Sequence, residues 1–265
     1  PEEERHAAMR WWFGVCQAQK QGAPAGHKPG QAFAVPMTGD VSEFGWLAHD
    51  LYYLRLADAL PKSIENRLRS RDQYQGARYE VAVAGMLIRS GFQIRWIEGH
   101  EKHCEFEATH RLTKETIAVE AKSHHVPGTL HQTGFVPDLE AIKFVGHRLY
   151  NKANKQLPPD KPGAIYIDLN LPPEANPDTQ ALPWWHEVRQ MLGRLPQPSP
   201  SEPAPETCLA LTNFTGHYAG RTLVSSRPRY EVIFPMYARH PLRNLDTFAS
   251  IIRGLEMYSF IPLME

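Results

Sequence analysis

The succession of hydrophobic patterns that begins at residue 72 constrains the fold more than any other feature of this sequence. The stretch DQYQGARYEVAVAGMLIRS has apolar residues at helical spacing, and Gly91 follows it, which favours a helix that ends there. Three stretches then alternate between apolar and polar residues with the period of a β-strand: FQIRWIE, HCEFEATH and IAVEAK. The sequence therefore predicts one helix followed by three strands.

The hydrophobic pattern changes again after the third strand. PDLEAIKFVGHRLYNKANKQL carries an apolar stripe at helical spacing, and AIYIDLNL is typical of a fourth strand. Two more strands are predicted later in the chain, at CLALTN and YEVIF. The order helix, three strands, helix, strand predicts an α/β fold.

The N-terminal part of the chain has a different pattern from the rest. Residues 1–71 are predicted to form a mainly helical extension packed on the core, because Leu47, Leu51 and Leu54 recur at helical spacing. Residues 72–265 are predicted to form one α/β domain with a proline-rich loop at 196–206. A chain of 265 residues is long enough for a large core with such an extension.

Composition and charge exclude several classes of protein. The hydrophobic fraction of 42% and the charged fraction of 22% are typical of globular proteins. Because the net charge is zero, any nucleic-acid partner would have to bind a local basic surface. Cys16, Cys104 and Cys208 are far apart, which argues against a disulfide framework or a zinc ribbon and fits a reducing compartment. No apolar stretch approaches the roughly 20 residues of a membrane span. We expect a soluble cytoplasmic protein without a membrane partner.

Glu80 occupies an unusual place on the first predicted helix. At 100° per residue it falls inside the apolar arc, between Leu87 and Ala84, whereas Arg78 and Arg89 are predicted to face away. A carboxylate on a buried stripe costs several kcal/mol unless it is paired, hydrogen-bonded or bound to a metal. Glu80 is therefore a candidate site residue, and a salt bridge in the core is the alternative interpretation.

The two strands joined by RLTKET carry further carboxylates. Glu105 and Glu107 share one face of the first strand, and Glu120 and Lys122 share one face of the second. A loop of even length would bring these faces together, with Glu105 near Lys122 and Glu107 near Glu120. We therefore predict a loop of two or four residues, and we prefer four because no Asn-Gly turn is present. Carboxylates roughly 7 Å apart on one strand repel unless a cation lies among them. The alternative is an exposed sheet face with mixed charges.

The element order and these side chains together resemble the core of the PD-(D/E)xK nucleases, the restriction-endonuclease-like fold, with an αβββαβ arrangement and a mixed central sheet. The residues that carry the resemblance are Glu80, Glu105, Glu120 and Lys122, and it covers roughly residues 72–171. The first acid in that superfamily is usually Asp, whereas this chain has Glu105, whose side chain is one methylene longer. Glu107 is a rival for the same role, and we prefer Glu105 because an aromatic residue follows it.

The resemblance implies a catalytic group and a cofactor. Glu80, Glu105, Glu120 and Lys122 would be catalytic, and the three carboxylates would hold Mg²⁺ or Mn²⁺, with Glu105 and Glu120 as direct ligands. Lys122 would contact the attacking water and the phosphate, as an electrostatic stabiliser or, if its pKa is depressed, as a base. Glu80 would complete the site through a water, a second ion or Lys122. The implied reaction is metal-dependent phosphodiester hydrolysis.

The partner implied by the resemblance is nucleic acid, with DNA as the expected substrate and a homodimer as an open prediction. Candidate substrate contacts are Gln156, Lys152, Lys155 and His124. The lysines could equally belong to a helix face that is simply exposed to solvent. The same two interpretations, contact with nucleic acid and exposure to solvent, apply to Arg67, Arg69 and Arg71.

Two other functions stay open. The chain could be a catalytically inactive domain on the same scaffold that binds nucleic acid or a partner protein. It could also be an unrelated α/β protein, for which an odd hairpin loop would scatter the carboxylates.

Overall fold

The computed structural model describes residues 6–24, 26, 28, 30, 33–99, 103–123, 134–135, 145–171, 183–195, 197–214, 216–224 and 228–258. Its helices are α1 (Ala7–Gly22), α2 (Gly39–Leu56), α3 (Lys62–Arg69), α4 (Tyr74–Arg89), α5 (Val145–Asn154), α6 (Pro183–Gly193) and α7 (Leu245–Met257). Its strands are β1 (Phe92–Trp96), β2 (Phe106–His110), β3 (Thr116–Ser123), β4 (Gly134–Phe135), β5 (Gly163–Asp168), β6 (Cys208–Asn213), β7 (His217–Gly220), β8 (Thr222–Val224) and β9 (Arg229–Ile233). None of the helices within these ranges combines the length and apolar character needed to cross a membrane.

A mixed six-stranded sheet with the order β1-β2-β3-β5-β6-β9 forms the centre of the molecule. The inner strands β3, β5 and β6 are parallel, whereas β1, β2 and β9 each pair antiparallel to their neighbours. A second, three-stranded sheet has the order β4-β7-β8. The predicted α/β class with a mixed sheet is therefore confirmed. The elements α4, β1, β2, β3, α5 and β5 occur in the expected order, but the short strand β4, which was not predicted, lies between β3 and α5.

Helices cover both faces of the central sheet. Alternate residues of β5 and β6 point to opposite sides, so that Ala164 and Tyr166 pack in the core with α4 while Ile165 and Ile167 pack in a second core with α5 and α6. Strands buried on both faces are continuously apolar, which accounts for the uniform burial of β5 and β6. The sheet thus forms the middle layer of three.

Helix α4 is the central helix of the molecule. It contacts β1 and β3 on the sheet and is covered on its other sides by α2, α3 and α7. It ends at Arg89 as predicted, and Gly91 adopts φ +96°, a left-handed conformation that glycine tolerates best. The prediction that Arg78 faces away from the core is wrong: it is buried and donates to Asp50 over 2.8 Å and to the Tyr258 hydroxyl over 3.3 Å. The helical periodicity of α4 alone does not show that α2 and α7 cover its outer face.

The hairpin between β2 and β3 has the predicted four-residue loop, residues 111–114. The His110 N–H donates to the Glu115 carbonyl over 2.9 Å and closes the loop. Phe106 pairs with Val119 and Glu107 with Ala118, so that Glu105 comes level with Glu120. The predicted pairing of Glu105 with Lys122 and of Glu107 with Glu120 is wrong by two residues, although the two faces do come together because the loop is even.

Several predicted element boundaries also differ: the first strand ends at Trp96 rather than at residue 98, and the second long helix ends at Asn154 rather than at residue 157. The second strand begins at Phe106 rather than at residue 103. The second long helix is described from Val145 to Asn154, and its predicted first part, residues 137–144, lies outside the described residues. The later strands CLALTN and YEVIF correspond to β6 and β9.

Candidate active site

The side chains predicted to form a site meet where β2 begins and β3 ends. Glu105 directly precedes β2, Glu120 and Lys122 belong to β3, and Glu80 belongs to α4. The Lys122 Nζ atom lies 3.1 Å from Glu105 Oε1 and forms a second ion pair with Glu120. Glu80 is close enough to interact electrostatically with Glu105 and Lys122. We refer to Glu80, Glu105, Glu120 and Lys122 as the carboxylate cluster.

Strand periodicity places Glu120 and Lys122 in this cluster. Val119 and Ala121 pack in the core with α4, and the side chains that alternate with them point to the other face of the sheet. Because β3 is an inner strand, between β2 and β5, that face is also covered, and Glu120 is fully buried. A carboxylate in such a position requires compensation by a cation or by a proton.

Arg67 is a fifth member of the site that the sequence did not assign. It comes from α3, and both terminal nitrogens of its guanidinium donate to Glu80, from Nη1 to Oε2 and from Nη2 to Oε1, each over 2.6 Å. The charge of Arg67 also interacts with Glu105. In the sequence Arg67 is one of three basic residues at alternate positions, and its partner depends on how α3 packs across α4. The salt bridge considered as an alternative for Glu80 is therefore present within the cluster.

The protonation states of the carboxylates follow from their burial. Burial raises the pKa of Glu120 to about 8, since the attraction of Lys122 offsets only part of that effect and Glu105 adds repulsion. Burial likewise raises the pKa of Glu80 to about 7, against the hydrogen bonds from Arg67. At neutral pH without a bound cation, Glu120 is therefore mostly protonated, and its contact with Lys122 is an ion pair only in the ionised form.

Lys122 carries a positive charge in this environment. Burial alone would lower its pKa, but the nearby Glu120 and Glu105 outweigh burial, and the pKa of Lys122 is raised. A base needs a depressed pKa to lose its proton near neutral pH. Lys122 is therefore a charged ammonium near neutral pH.

Glu107, the rival of Glu105, has partners outside the cluster. Its Oε2 accepts from Arg95 over 2.6 Å and its Oε1 accepts from Lys161 over 2.8 Å. Both oxygens of Glu107 are thus used in ion pairs on the neighbouring strand β1 and at the start of β5. Glu107 therefore lies outside the carboxylate cluster, and the preference for Glu105 as the first acid stays a prediction.

The predicted substrate contacts lie in three different situations. The Gln156 side chain donates to the His103 carbonyl over 3.2 Å, two residues before Glu105, and so lies beside the cluster. Lys152 and Lys155 are exposed to solvent on and just after α5. His124 falls outside the described residues.

A group of uncharged polar side chains continues the site beyond Lys122 and was not predicted. The Ser123 hydroxyl accepts from Asn170 over 3.0 Å and from Gln75 over 3.5 Å. These residues lie at the carboxyl end of β3 and after β5, the edge of a parallel sheet where ligands commonly bind. Ser123 and Asn170 could have been noticed in the sequence because each lies at or just after the end of a predicted strand. The sequence alone does not specify which strand ends lie side by side.

The cluster is compatible with a hard divalent cation held by two carboxylates. Among the described residues, no three His, Cys, Asp or Glu side chains are arranged so that one metal ion could bind them all. Glu105 and Glu120 nevertheless share one cation, the ammonium of Lys122, and the Glu120 Oε2 atom is buried without a hydrogen bond from any described residue. Mg²⁺ is commonly bound by one or two carboxylates and completes its coordination with water and phosphate oxygens. The residues present fit such an ion.

No protein-family model, curated protein or solved structure matches the chain. The geometry and electrostatics of the carboxylate cluster are therefore the basis on which a function can be assigned.

Proposed function

We propose that this protein is a metal-dependent nuclease with a restriction-endonuclease-like core, which hydrolyses phosphodiester bonds in nucleic acid, with DNA as the expected substrate. The observation that carries the proposal is the position of Glu120, which is fully buried, has one oxygen without a hydrogen bond from the described part of the chain, and lies beside Glu105 and Lys122. A buried carboxylate costs several kcal/mol unless a cation or a proton compensates it, and a divalent cation bound between Glu105 and Glu120 would supply that compensation.

The proposed roles follow from the contacts. Glu105 and Glu120 would hold Mg²⁺ or Mn²⁺. When bound, such an ion supplies neutralisation of the phosphate charge and lowers the pKa of a water molecule. Lys122 remains an ammonium next to both ligands, where it can stabilise the additional negative charge of the transition state. Glu80, with both oxygens on Arg67, would orient the cluster from α4, and its role as a ligand stays a prediction.

A second function is favoured by one specific observation. Lys122 and Arg67 already form ion pairs with the three carboxylates of the cluster. Such an arrangement is also what a catalytically inactive domain would need, if the same scaffold bound nucleic acid or a partner protein without a metal. The two functions differ in whether the cluster binds a divalent cation.

Calorimetric titration with Mg²⁺ and Mn²⁺ separates these two functions. We expect the unaltered protein to bind the ion and Glu120→Ala to lose it, while Glu107→Ala retains it because Glu107 is paired with Arg95 and Lys161. A plasmid and a single-stranded DNA should be cleaved by the unaltered protein and by Glu107→Ala, but not by Lys122→Ala. Absence of ion binding by the unaltered protein would exclude the nuclease and favour the inactive domain.

A further inference from the structure

Arg67 stands at the solvent side of the carboxylate cluster. Its side chain is 33% exposed, whereas the side chain of Glu80, which it contacts, is only 5% exposed. The side chain of Arg67 is therefore partly accessible to solvent, and thus to a charged ligand, whereas Glu80 is not. It is contributed by α3, outside the helix–strand unit that carries the other four side chains.

The guanidinium of Arg67 is suited to two different partners. Its planar arrangement of N–H groups forms paired hydrogen bonds with a carboxylate and equally with the oxygens of a phosphate. Two of its five N–H groups are used on Glu80. An arginine side chain that is one-third exposed beside a cation site could therefore release the carboxylate and bind a phosphate instead.

The charges of the site favour such an exchange. With all three carboxylates ionised, Arg67 and Lys122 leave the site with one negative charge in excess. A divalent cation would turn this into one positive charge in excess, and one phosphodiester group would then make the site neutral. The phosphate and the cation are thus expected to support each other's binding, and of the two cations that contact the carboxylate cluster in the described part of the chain, Arg67 is the more exposed, with 33% against 15% for Lys122.

We propose that Arg67 is a substrate-binding residue, which exchanges its partner Glu80 for a phosphate group of the nucleic acid when the cluster holds a divalent cation. This inference rests on the proposed nuclease function, since it assigns a further residue to the same site. It makes the helical extension, through α3, part of the substrate site. It also means that cation and nucleic acid bind cooperatively, because the same residue is connected with both.

The experiment measures the affinity for Mn²⁺ with and without nucleic acid. Calorimetry is performed on the full chain, first alone and then with a short duplex oligonucleotide whose phosphorothioate linkages resist hydrolysis. In the unaltered protein we expect the oligonucleotide to raise the Mn²⁺ affinity about tenfold, within the range of allosteric couplings between ligands. In Arg67→Ala the Mn²⁺ affinity without the oligonucleotide should be equal or higher, since a competing cation is removed from Glu80, and the oligonucleotide should raise it by less than about twofold.

Two further variants make the result specific to Arg67. Arg69→Ala removes an equal charge from an exposed position of the same helix, and it should keep the full tenfold effect expected above. Arg67→Lys keeps the charge and most of the side chain but cannot form the paired bonds, and it should show an intermediate effect. Urea unfolding of each variant shows whether the fold is retained, and Arg67→Lys carries the test if Arg67→Ala does not fold.

The outcomes distinguish this inference from the proposed function. If the unaltered protein binds no Mn²⁺, both are wrong. If Mn²⁺ binds and Glu120→Ala abolishes binding, the proposed cation site is supported. If, in addition, the oligonucleotide raises the Mn²⁺ affinity of Arg67→Ala and Arg67→Lys as much as that of the unaltered protein, only the role of Arg67 is wrong. A weaker Mn²⁺ affinity of Arg67→Ala in the absence of the oligonucleotide would also overturn it, because Arg67 would then only support Glu80.

Discussion

Replacing Glu120 by glutamine should stabilise the metal-free protein, and increasingly so as the pH rises. Burial raises the pKa of Glu120 from 4.5 to about 8 in the folded protein, while the unfolded chain returns to the ordinary value. Between these two values the folded state binds more protons than the unfolded state, so the free energy of unfolding falls as the pH rises. Glutamine has nearly the same shape as glutamate and does not titrate, so the free energy of unfolding of Glu120→Gln should not fall in this way as the pH rises.

The size of the effect follows from the two pKa values of Glu120. Each pKa unit corresponds to about 1.4 kcal/mol, so a rise from 4.5 to about 8 corresponds to about 5 kcal/mol once the carboxyl is fully ionised. Between about pH 5 and pH 7, the unaltered protein should lose about 2.5 kcal/mol of stability that Glu120→Gln keeps. Titration of Glu80 occurs in both proteins and largely cancels in this difference.

Urea unfolding followed by circular dichroism in the presence of a chelator measures the difference, at about pH 5, 6 and 7. Glu107→Gln is the matched control, because burial of Glu107 is outweighed by hydrogen bonds from Lys161 and Arg95 and its pKa is lowered. A carboxyl with a lowered pKa contributes stability that is fully present above its unfolded pKa, so the Glu107→Gln difference should stay constant over this interval. A Glu120→Gln difference that is equally constant would show that Glu120 is ionised in the metal-free fold, and the reasoning would be refuted.

Three further predictions concern the site and its support. Because burial raises the pKa of Glu120 to about 8, binding of Mg²⁺ at pH 7 should release about one proton. For the same reason, the Mg²⁺ affinity should rise by up to about tenfold per pH unit until the pH exceeds that pKa. Calorimetry in buffers of different ionisation enthalpy measures both the proton release and the affinity. Asp50→Ala should destabilise the fold by about 3–5 kcal/mol in urea unfolding, since it leaves Arg78 as a buried charge without its carboxylate. Gly39→Ala should cost about 1–3 kcal/mol in the same assay, because an added Cβ would overlap the backbone of Leu223.

Periodicity was sufficient to predict the elements that carry the site. The alternation in β3 separates Val119 and Ala121 from Glu120 and Lys122, and the loop parity then decides whether the acidic faces of β2 and β3 coincide. Both are local properties of the sequence, which is why the sequence alone predicts that the charged side chains of β2 and β3 lie on one face. The error of two residues in the pairing arose because parity fixes the face but not the register.

The residues that sequence reasoning missed all depend on long-range packing. Arg67 reaches Glu80 because α3 packs across α4, and Asn170 reaches Ser123 because β5 lies beside β3. Arg78 is buried because α7, formed by residues more than 150 positions further along the chain, covers α4. A helical wheel contains only the helix itself, so it cannot distinguish an outer face in solvent from one covered by another helix.

Glu105 and Glu107 show why residue type and spacing do not define a site by themselves. Both belong to the sequence CEFEATH, and both point to the same side of the hairpin. Glu107 is paired with two cations, Arg95 on the neighbouring strand β1 and Lys161 in the loop before β5, whereas Glu105 shares the single ammonium of Lys122 with the buried Glu120. Glu105 and Glu120 are therefore the carboxylates that the cations of the protein compensate least, and a divalent cation bound there would offset the cost of ionising the buried Glu120.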